Sequence, residues 1–233
     1  RREVVSFVGT SKVVDTVGEL VKNFKVLEMV PEIVITHDLV EHPGFRIQED
    51  VDNHDYILDI NAMVELKGRK FKSKRKKIKH FLRNYSNHEV RVINSGDTII
   101  QKQMEKLVRA WGKTRGVDFE DIEDELSAIR RLIQTSHLYN LVVVGIYVKS
   151  KLIAFTTNEL VSTEMAIGGF GKADLSYVGI YPYLEHITAL HLQKMGCKYL
   201  NYEQDLGLPG LREAKSSWYP VDFLKKYKIT EKK

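Results

Sequence analysis

The chain has little of what would classify it quickly. Cys197 is the only cysteine in 233 residues. A disulfide framework is therefore excluded, and a reducing, cytoplasmic setting is expected. The longest apolar run, Leu141 to Val148, is far too short to cross a bilayer as a helix. No signal-peptide pattern opens the chain. It starts on Arg1 rather than Met, from which a preceding N-terminal part is expected. No Ser-His-Asp order, metal-ligand spacing or glycine-rich phosphate loop is present. His186 and His191 stand five apart, the wrong spacing for a metal pair on one helix face. No cofactor and no metal are expected.

What is present suits a folded enzyme or binding module. The hydrophobic fraction of 43% supports a core, in one large domain or two small ones. Formal net charge is +5, unevenly placed. Residues 67–83 hold ten Lys or Arg and no acid. Phe71, Ile78, Phe81, Leu82 and Tyr85 fall on one helical stripe, so this is a docked helix with cationic outer faces. Like charges at helical spacing repel, which points to an anionic partner. Lys67, Arg69, Lys70, Lys74, Arg75, Lys77 and Lys79 are the candidate phosphate contacts. With few aromatics between the charges, backbone contact rather than base stacking is expected, on nucleic acid or an anionic lipid surface.

The first sixty residues read as a strand over 4–8, a helix over 15–24, and strands over 45–48 and 56–59 joined through Asp50-Val51-Asp52-Asn53. Residues 33–36 suit strand by β-branching and helix by Pro31. Past His88 the order is strand, two amphipathic helices, three antiparallel strands, helix, strand, short helix, strand. The hairpin turns at Lys149-Ser150-Lys151. This is an α/β (α+β) architecture, an N-acetyltransferase-like mixed sheet flanked by helices. In that fold the central strands splay and substrate enters the gap. The helix after the third antiparallel strand usually follows a glycine-rich loop that cradles the CoA pyrophosphate. Residues 174–182 hold one glycine there, Gly179, which makes CoA a poor donor candidate.

The densest chemistry lies at 198–215. Strand alternation would put Asn201, Glu203 and Asp205 on one side. Gly207 and Pro209-Gly210 end the strand. Arg212 and Lys215 are three apart, on one face of a following short helix. Two carboxylates and an amide then face two cations, as a site or as a surface ion-pair cluster.

Four places resemble the C-terminal-domain family of phosphatidylglycerol lysyltransferases, over roughly residue 45 to the end. They are Glu49-Asp50-Val51-Asp52-Asn53-His54-Asp55-Tyr56; Leu66-Lys67-Gly68-Arg69-Lys70-Phe71 with Lys74-Arg75; Gly171-Lys172-Ala173 with Tyr181-Pro182; and Asn201-Tyr202-Glu203-Gln204-Asp205-Leu206-Gly207 with Gly210-Leu211-Arg212-Glu213-Ala214-Lys215 and Tyr219-Pro220. The resemblance implies tandem acetyltransferase-like units. Residues 1–87 would be the end of a first unit plus the basic helix, and 88–233 a complete second one. It also implies transfer of an amino acid from aminoacyl-tRNA to a hydroxyl or amine, such as that of phosphatidylglycerol. Partners would then be aminoacyl-tRNA and anionic phospholipid, at or near the membrane surface. Glu203 or Asp205 would be the base or would hold the α-ammonium. Arg212 and Lys215 would hold a phosphate, and Lys172 and Tyr181 would line the same gap with Asn201. The competing expectations are a non-catalytic module binding RNA or anionic lipid, and a CoA-dependent acyltransferase.

Overall fold

The computed structural model describes residues 4–93 and 97–232. In chain order the elements are α1 (Val13–Phe24), β1 (Val26–Pro31), α2 (His37–Val40), β2 (Phe45–Glu49), β3 (Asp55–Asp59), α3 (Ile60–Glu65), α4 (Lys72–Asn84) and β4 (His88–Ile93). They continue with α5 (Thr98–Arg115), α6 (Phe119–Gln134), β5 (Leu141–Val148), β6 (Lys151–Leu160), β7 (Met165–Ala173), α7 (Ile180–Lys194), β8 (Tyr199–Asn201), α8 (Pro209–Ser216), β9 (Asp222–Leu224) and β10 (Lys226–Glu231). Among the described residues no helix is long and apolar enough to cross a membrane.

The chain forms two compact units, Leu58–Tyr202 and Arg1–Ile57 with Glu203–Lys233. These units do not coincide with the expected segments 1–87 and 88–233. The cause is long-range pairing. β10 lies between β1 and β2, antiparallel to both, so the C-terminal strand completes the N-terminal sheet. The basic helix α4 goes the other way, packing on α7 within Leu58–Tyr202.

In Leu58–Tyr202 the strands run in the order β4-β5-β6-β7-β8. All pairs are antiparallel except β7 with β8, where Met165, Ala166 and Ile167 pair with Tyr199, Leu200 and Asn201 in parallel. The β5–β6 hairpin sits at the centre, as the apolar run predicts. Residues 142–148 of β5 are all buried, the pattern of a strand covered on both faces. Lys149 and Ser150 both take positive φ, 48° and 62°, the two-residue turn whose twist matches the strands. On one face Val143, Tyr147, Leu152 and Phe155 pack with Met104, Leu107 and Val108 of α5 and Ile122, Leu126 and Ile129 of α6. Asp97 caps α5 by accepting from Ile99 N at 2.8 Å. Gly112, inside α5, stands where the Ile122 side chain leaves no room for a Cβ. The helix α7 contacts β5, β6 and β7, and α3 and α4 pack on α7.

In the other unit α1 covers one face of β1-β10-β2. Val13, Val17 and Val21 pack there with Leu27, Val30 and Ile229. The first residues of β3 pair antiparallel with β9, Tyr56 opposite Phe223. One expectation fails in this unit. Residues 4–8 form no strand; Val5 O accepts from Glu28 N at 2.9 Å and Ser6 Oγ donates to Met29 O at 3.3 Å. Residues 26–31 form the strand instead. The ambiguous residues 33–36 resolve into a short 3-10 turn, Glu32–Val34, followed by Thr36 as the cap of α2.

Candidate active site

The strand β8 stops at Asn201, earlier than its composition suggests. Glu203 and Leu206 both adopt φ of 55°, and Gly207 follows at 72°. Strand alternation therefore does not extend through Glu203 and Asp205, and their expected common face with Asn201 does not form. The chain turns instead. Leu208 N donates to Asp205 O at 3.0 Å, and Pro209 opens α8, where its missing N–H costs nothing. One turn into α8, Arg212 lies back over Asp205.

Asp205 is 1% exposed and accepts four hydrogen bonds. They come from Tyr56 Oη at 2.5 Å, Arg212 Nε at 2.8 Å, Arg212 Nη2 at 2.9 Å and Gly207 N at 2.8 Å. All its acceptor sites are taken. The Arg212 hydrogen bonds, ahead of those from Tyr56 and Gly207, hold its pKa down to about 2, against the opposing effect of burial. Such a carboxylate anchors well and takes up a proton poorly. Arg212 Nη2 also reaches Asp52 Oδ1 at 2.5 Å. Asp52 in turn abuts Gly207, where a Cβ would come within 2.9 Å of its carboxylate. The Arg212 side chain is 44% exposed, and its Nη1 edge has no partner among the described residues.

Glu203 differs from Asp205 although only two residues away. It is exposed, and its backbone carbonyl accepts from Tyr56 N at 3.2 Å. Loss of solvent around its carboxyl, and then Asp55, raises its pKa; Lys215 and Lys226 pull the other way. Lys215 is buried, and Lys226 Nζ is 2.5 Å from Asp55 Oδ1. Four carboxylates, Asp52, Asp55, Glu203 and Asp205, thus stand among three cations, Arg212, Lys215 and Lys226. Sequence reasoning identified Glu203, Asp205, Arg212 and Lys215 as site candidates and missed Tyr56, Asp52, Asp55 and Lys226. The Asp-rich turn at 49–56 was the available signal, but no spacing ties it to residue 205.

In Leu58–Tyr202 the structure gathers a second polar group. β7 and β8 pair only through Met165–Ile167 and Tyr199–Asn201, where β8 ends. Asn201 is buried at the last paired position. Tyr202 donates to Glu185 of α7, and its pKa is raised well above normal, chiefly by burial. Burial pushes Tyr181 up to about 12. Lys172 Nζ lies 2.6 Å from Glu125 Oε1 and 4.0 Å from the Trp111 ring centre. Lys172 and Tyr181 therefore share Trp111 as a neighbour. At the N-terminus of α7, Gly179 has φ of 88°, and a Cβ there would collide with the backbone carbonyl oxygen of Lys77. The end of α7 that would face a pyrophosphate in an acetyltransferase is here in contact with α4.

On α4 the apolar side is as expected, with Phe71, Ile78 and Phe81 buried, but Leu82 is exposed. The seven cations chosen from sequence divide. Lys67 pairs with Glu65 at 2.9 Å. Arg75 holds the preceding loop by donating to Gly68 O at 2.8 Å and to Leu66 O. Lys74 turns inward, where burial lowers its pKa to about 8 despite the attraction of Glu185. Lys70 stands 5.2 Å from the Phe71 ring centre. Arg69, Lys77 and Lys79 are exposed. Lys72, Lys76 and Arg83, passed over in the sequence, are exposed as well. With Lys79 they form one stripe at helical spacing 72, 76, 79, 83. Among the described residues no group of three or more His, Cys, Asp or Glu side chains is placed to hold a metal ion.

The family model described as "Phosphatidylglycerol lysyltransferase, C-terminal" matches residues 33–230. No curated protein matches the chain. Among solved structures, a conserved protein of unknown function from Bacteroides thetaiotaomicron VPI-5482 is 26% identical, with a TM-score of 0.82 over 97% of this chain and 78% of that one. The C-terminal domain of a putative lysylphosphatidylglycerol synthetase from Agrobacterium fabrum is 15% identical, with a TM-score of 0.66 over 94% and 73% of the two chains. L-PGS from Bacillus licheniformis is 14% identical, with a TM-score of 0.63 over 88% and 67%. The fold is GNAT acetyltransferase-like.

Proposed function

Because the chain belongs to the phosphatidylglycerol lysyltransferase C-terminal family, a family of transferases, we propose that it moves an aminoacyl group from aminoacyl-tRNA to a hydroxyl of a phospholipid headgroup such as phosphatidylglycerol. The observation that carries the reading is the contrast between Glu203 and the Asp205–Arg212 pair beside it. Two of the hydrogen bonds that Asp205 accepts fix Arg212, a planar donor whose side chain is 44% exposed and whose Nη1 has no partner among the described residues. Glu203 keeps solvent access and a raised pKa.

In this mechanism Glu203 takes the proton of the attacking hydroxyl. The alkoxide oxygen bonds to the ester carbonyl carbon, and the developing oxyanion or a neighbouring phosphate is held by Arg212 Nη1 and Lys215. The C–O bond to the terminal ribose then breaks, and the proton on Glu203 passes to that ribose oxygen. One ester is exchanged for another, so no outside energy source is required. The exposed stripe Lys72, Lys76, Lys79 and Arg83 holds the tRNA phosphates. We also read 1–87 and 88–233 as the end of one acetyltransferase-like unit and a complete second one, at the cytoplasmic surface of a membrane.

The test supplies the full chain with tRNA carrying a labelled amino acid and with phosphatidylglycerol, and follows label into the organic phase. Wild-type transfer that falls by roughly a hundred- to ten-thousand-fold in Glu203→Gln supports the reading. Full activity in that variant removes Glu203 from the chemistry. One observation favours a second reading: Arg212 is paired with both Asp205 and Asp52, as in a structural cluster. If wild-type protein binds RNA through α4 but transfers nothing to any acceptor, the chain is a non-catalytic module.

A further inference from the structure

The strand β4 ends its sheet. Among the described residues β5 is its one strand neighbour, and its other edge is unpaired. Its sequence is His88-Glu89-Val90-Arg91-Val92-Ile93, with neither the lysine nor the proline that commonly blunts an edge. Two observations fix which backbone groups look outward. Val148 and Lys151 close the two-residue turn, so Val148 faces β6, and the alternate residues Tyr147, Gly145 and Val143 face β4. Their partners Glu89, Arg91 and Ile93 therefore face β5. His88 agrees, since its N–H donates to Tyr85 O at 3.1 Å, outside the sheet. The N–H and C=O groups of Val90 and Val92, with the C=O of His88, are left on the open edge.

The side chains add a charge order. Glu89 and Arg91 share one face of the strand, both exposed, and Arg91 Nε donates to Glu89 Oε2 at 3.0 Å. The Tyr147 ring, centred 4.6 Å from the guanidinium carbon, supports Arg91 from β5. On the other face Val92 is 52% exposed. An antiparallel partner must set outward residues against outward residues, so its register moves only in steps of two. For a second copy related by a two-fold axis, the central registers fall on residue 89, 90 or 91. The first sets Glu89 against Glu89 of the partner subunit, and the last sets Arg91 against Arg91 of the partner subunit. Only the register on Val90 sets Glu89 against Arg91 of the partner subunit, and it does so twice by symmetry. That register also pairs Val90 N–H and C=O with Val90 of the partner subunit, and gives Val92 N–H the C=O of His88 of the partner subunit. His88 N–H, already taken by Tyr85 O, needs no partner there.

We infer that β4 is a self-pairing edge, through which two copies of this chain join antiparallel about a two-fold axis at Val90. A second copy is the occupant because the strand is charge-complementary to itself in that one register and repels itself in the two beside it. The pairing carries the sheet from one copy into the next and closes the open edge. It engages six residues from each copy, against about 20–30 in a standard interface, so association is weak and depends on concentration.

The experiment measures the mass of the full chain by sedimentation equilibrium from about 10 μM to about 1 mM, a span that covers weak dimers. The variants are Glu89→Arg, Arg91→Glu and the exchanged pair Glu89→Arg/Arg91→Glu, with melting curves alongside. Both side chains are exposed, so the variants should keep the fold. Expected for the wild type is a reversible monomer–dimer equilibrium. Each single variant should associate roughly tenfold or more weakly, because two attractive cross-strand pairs become two repulsive ones. The exchanged pair should recover association, since it restores opposite charges in the same register. A wild type that stays monomeric over the whole range overturns the inference. A dimer equally strong in all four proteins overturns it too, as does a loss in the single variants that the exchanged pair does not repair.

Discussion

Tyr56 and Asp205, 149 residues apart in the chain, meet at 2.5 Å, the phenol donating and the carboxylate accepting. Arg212 completes the arrangement with two hydrogen bonds of its own, one to each carboxylate oxygen. Asp205 is thereby held by three residues, and in the proposed mechanism Glu203 rather than Asp205 is the base.

Replacing Asp205 by Asn is expected to lower stability as well as activity. The amide cannot accept from all four donors, and leaving buried donors unmade costs about 2 kcal/mol. For a chain of this size the melting temperature should drop by roughly 4–8 °C. The sign with pH follows from the depressed pKa of about 2. The stabilising contribution of Asp205 is complete above the ordinary carboxylate range and is lost as pH falls from that range toward 2. Acid titration of melting should show that loss in the wild type and not in Asp205→Asn.

Glu203→Gln should leave melting within a degree or so of the wild type, because the residue is exposed. Its raised pKa sets the acid limb of the rate profile. A base must be deprotonated, so kcat/KM should fall as pH drops through a value above that of an ordinary glutamate. Arg212→Lys should reduce transfer while leaving that limb in place, since a lysine cannot reproduce the paired contacts on Asp205. A limb that moves in Arg212→Lys and persists in Glu203→Gln would reassign the base.

The basic helix should behave as two populations. Substituting Lys72, Lys76 or Lys79 by Ala should each lower the slope of log affinity for RNA against log salt by about 0.7–0.9. Lys67→Ala should change that slope little, because Glu65 already neutralises it. Filter binding across a salt series separates the two, and equal effects at all four positions would contradict the division.

Lys74 should report on burial through stability. Its folded pKa is depressed to about 8, below that of an exposed lysine. Between those two values the unfolded chain holds more protons, so stability should rise with pH across that window. Lys74→Met should flatten the rise. Denaturant midpoints at about pH 7.5, 9 and 10 would test it, and an unchanged slope would mean that Lys74 is solvated.

Gly179→Ala should disrupt the seat of α4 on α7. The position has φ of 88° and Lys77 O in contact, so an alanine meets both backbone strain and a clash. Such backbone changes cost about 2 kcal/mol or more. A melting temperature equal to that of the wild type would show that α4 is free to move aside.

The sequence by itself determined the elements whose signals are local. The apolar run 141–148 with its two-residue turn specifies the central hairpin, and the stripe Phe71, Ile78, Phe81 specifies a docked basic helix. Helical and strand periods are properties of consecutive residues, so they are readable without partners. Only the tertiary structure decided that β10 inserts between β1 and β2, antiparallel to both. It alone decided that β8 ends at Asn201 and that Tyr56 and Asp52 close on Asp205 and Arg212. It also separated Lys74, turned inward, from Lys72 and Lys76, turned outward. These outcomes depend on pairings across 149 residues and more, where the energy of each contact is set by which partners the fold brings within hydrogen-bond reach. No period in the local sequence encodes that.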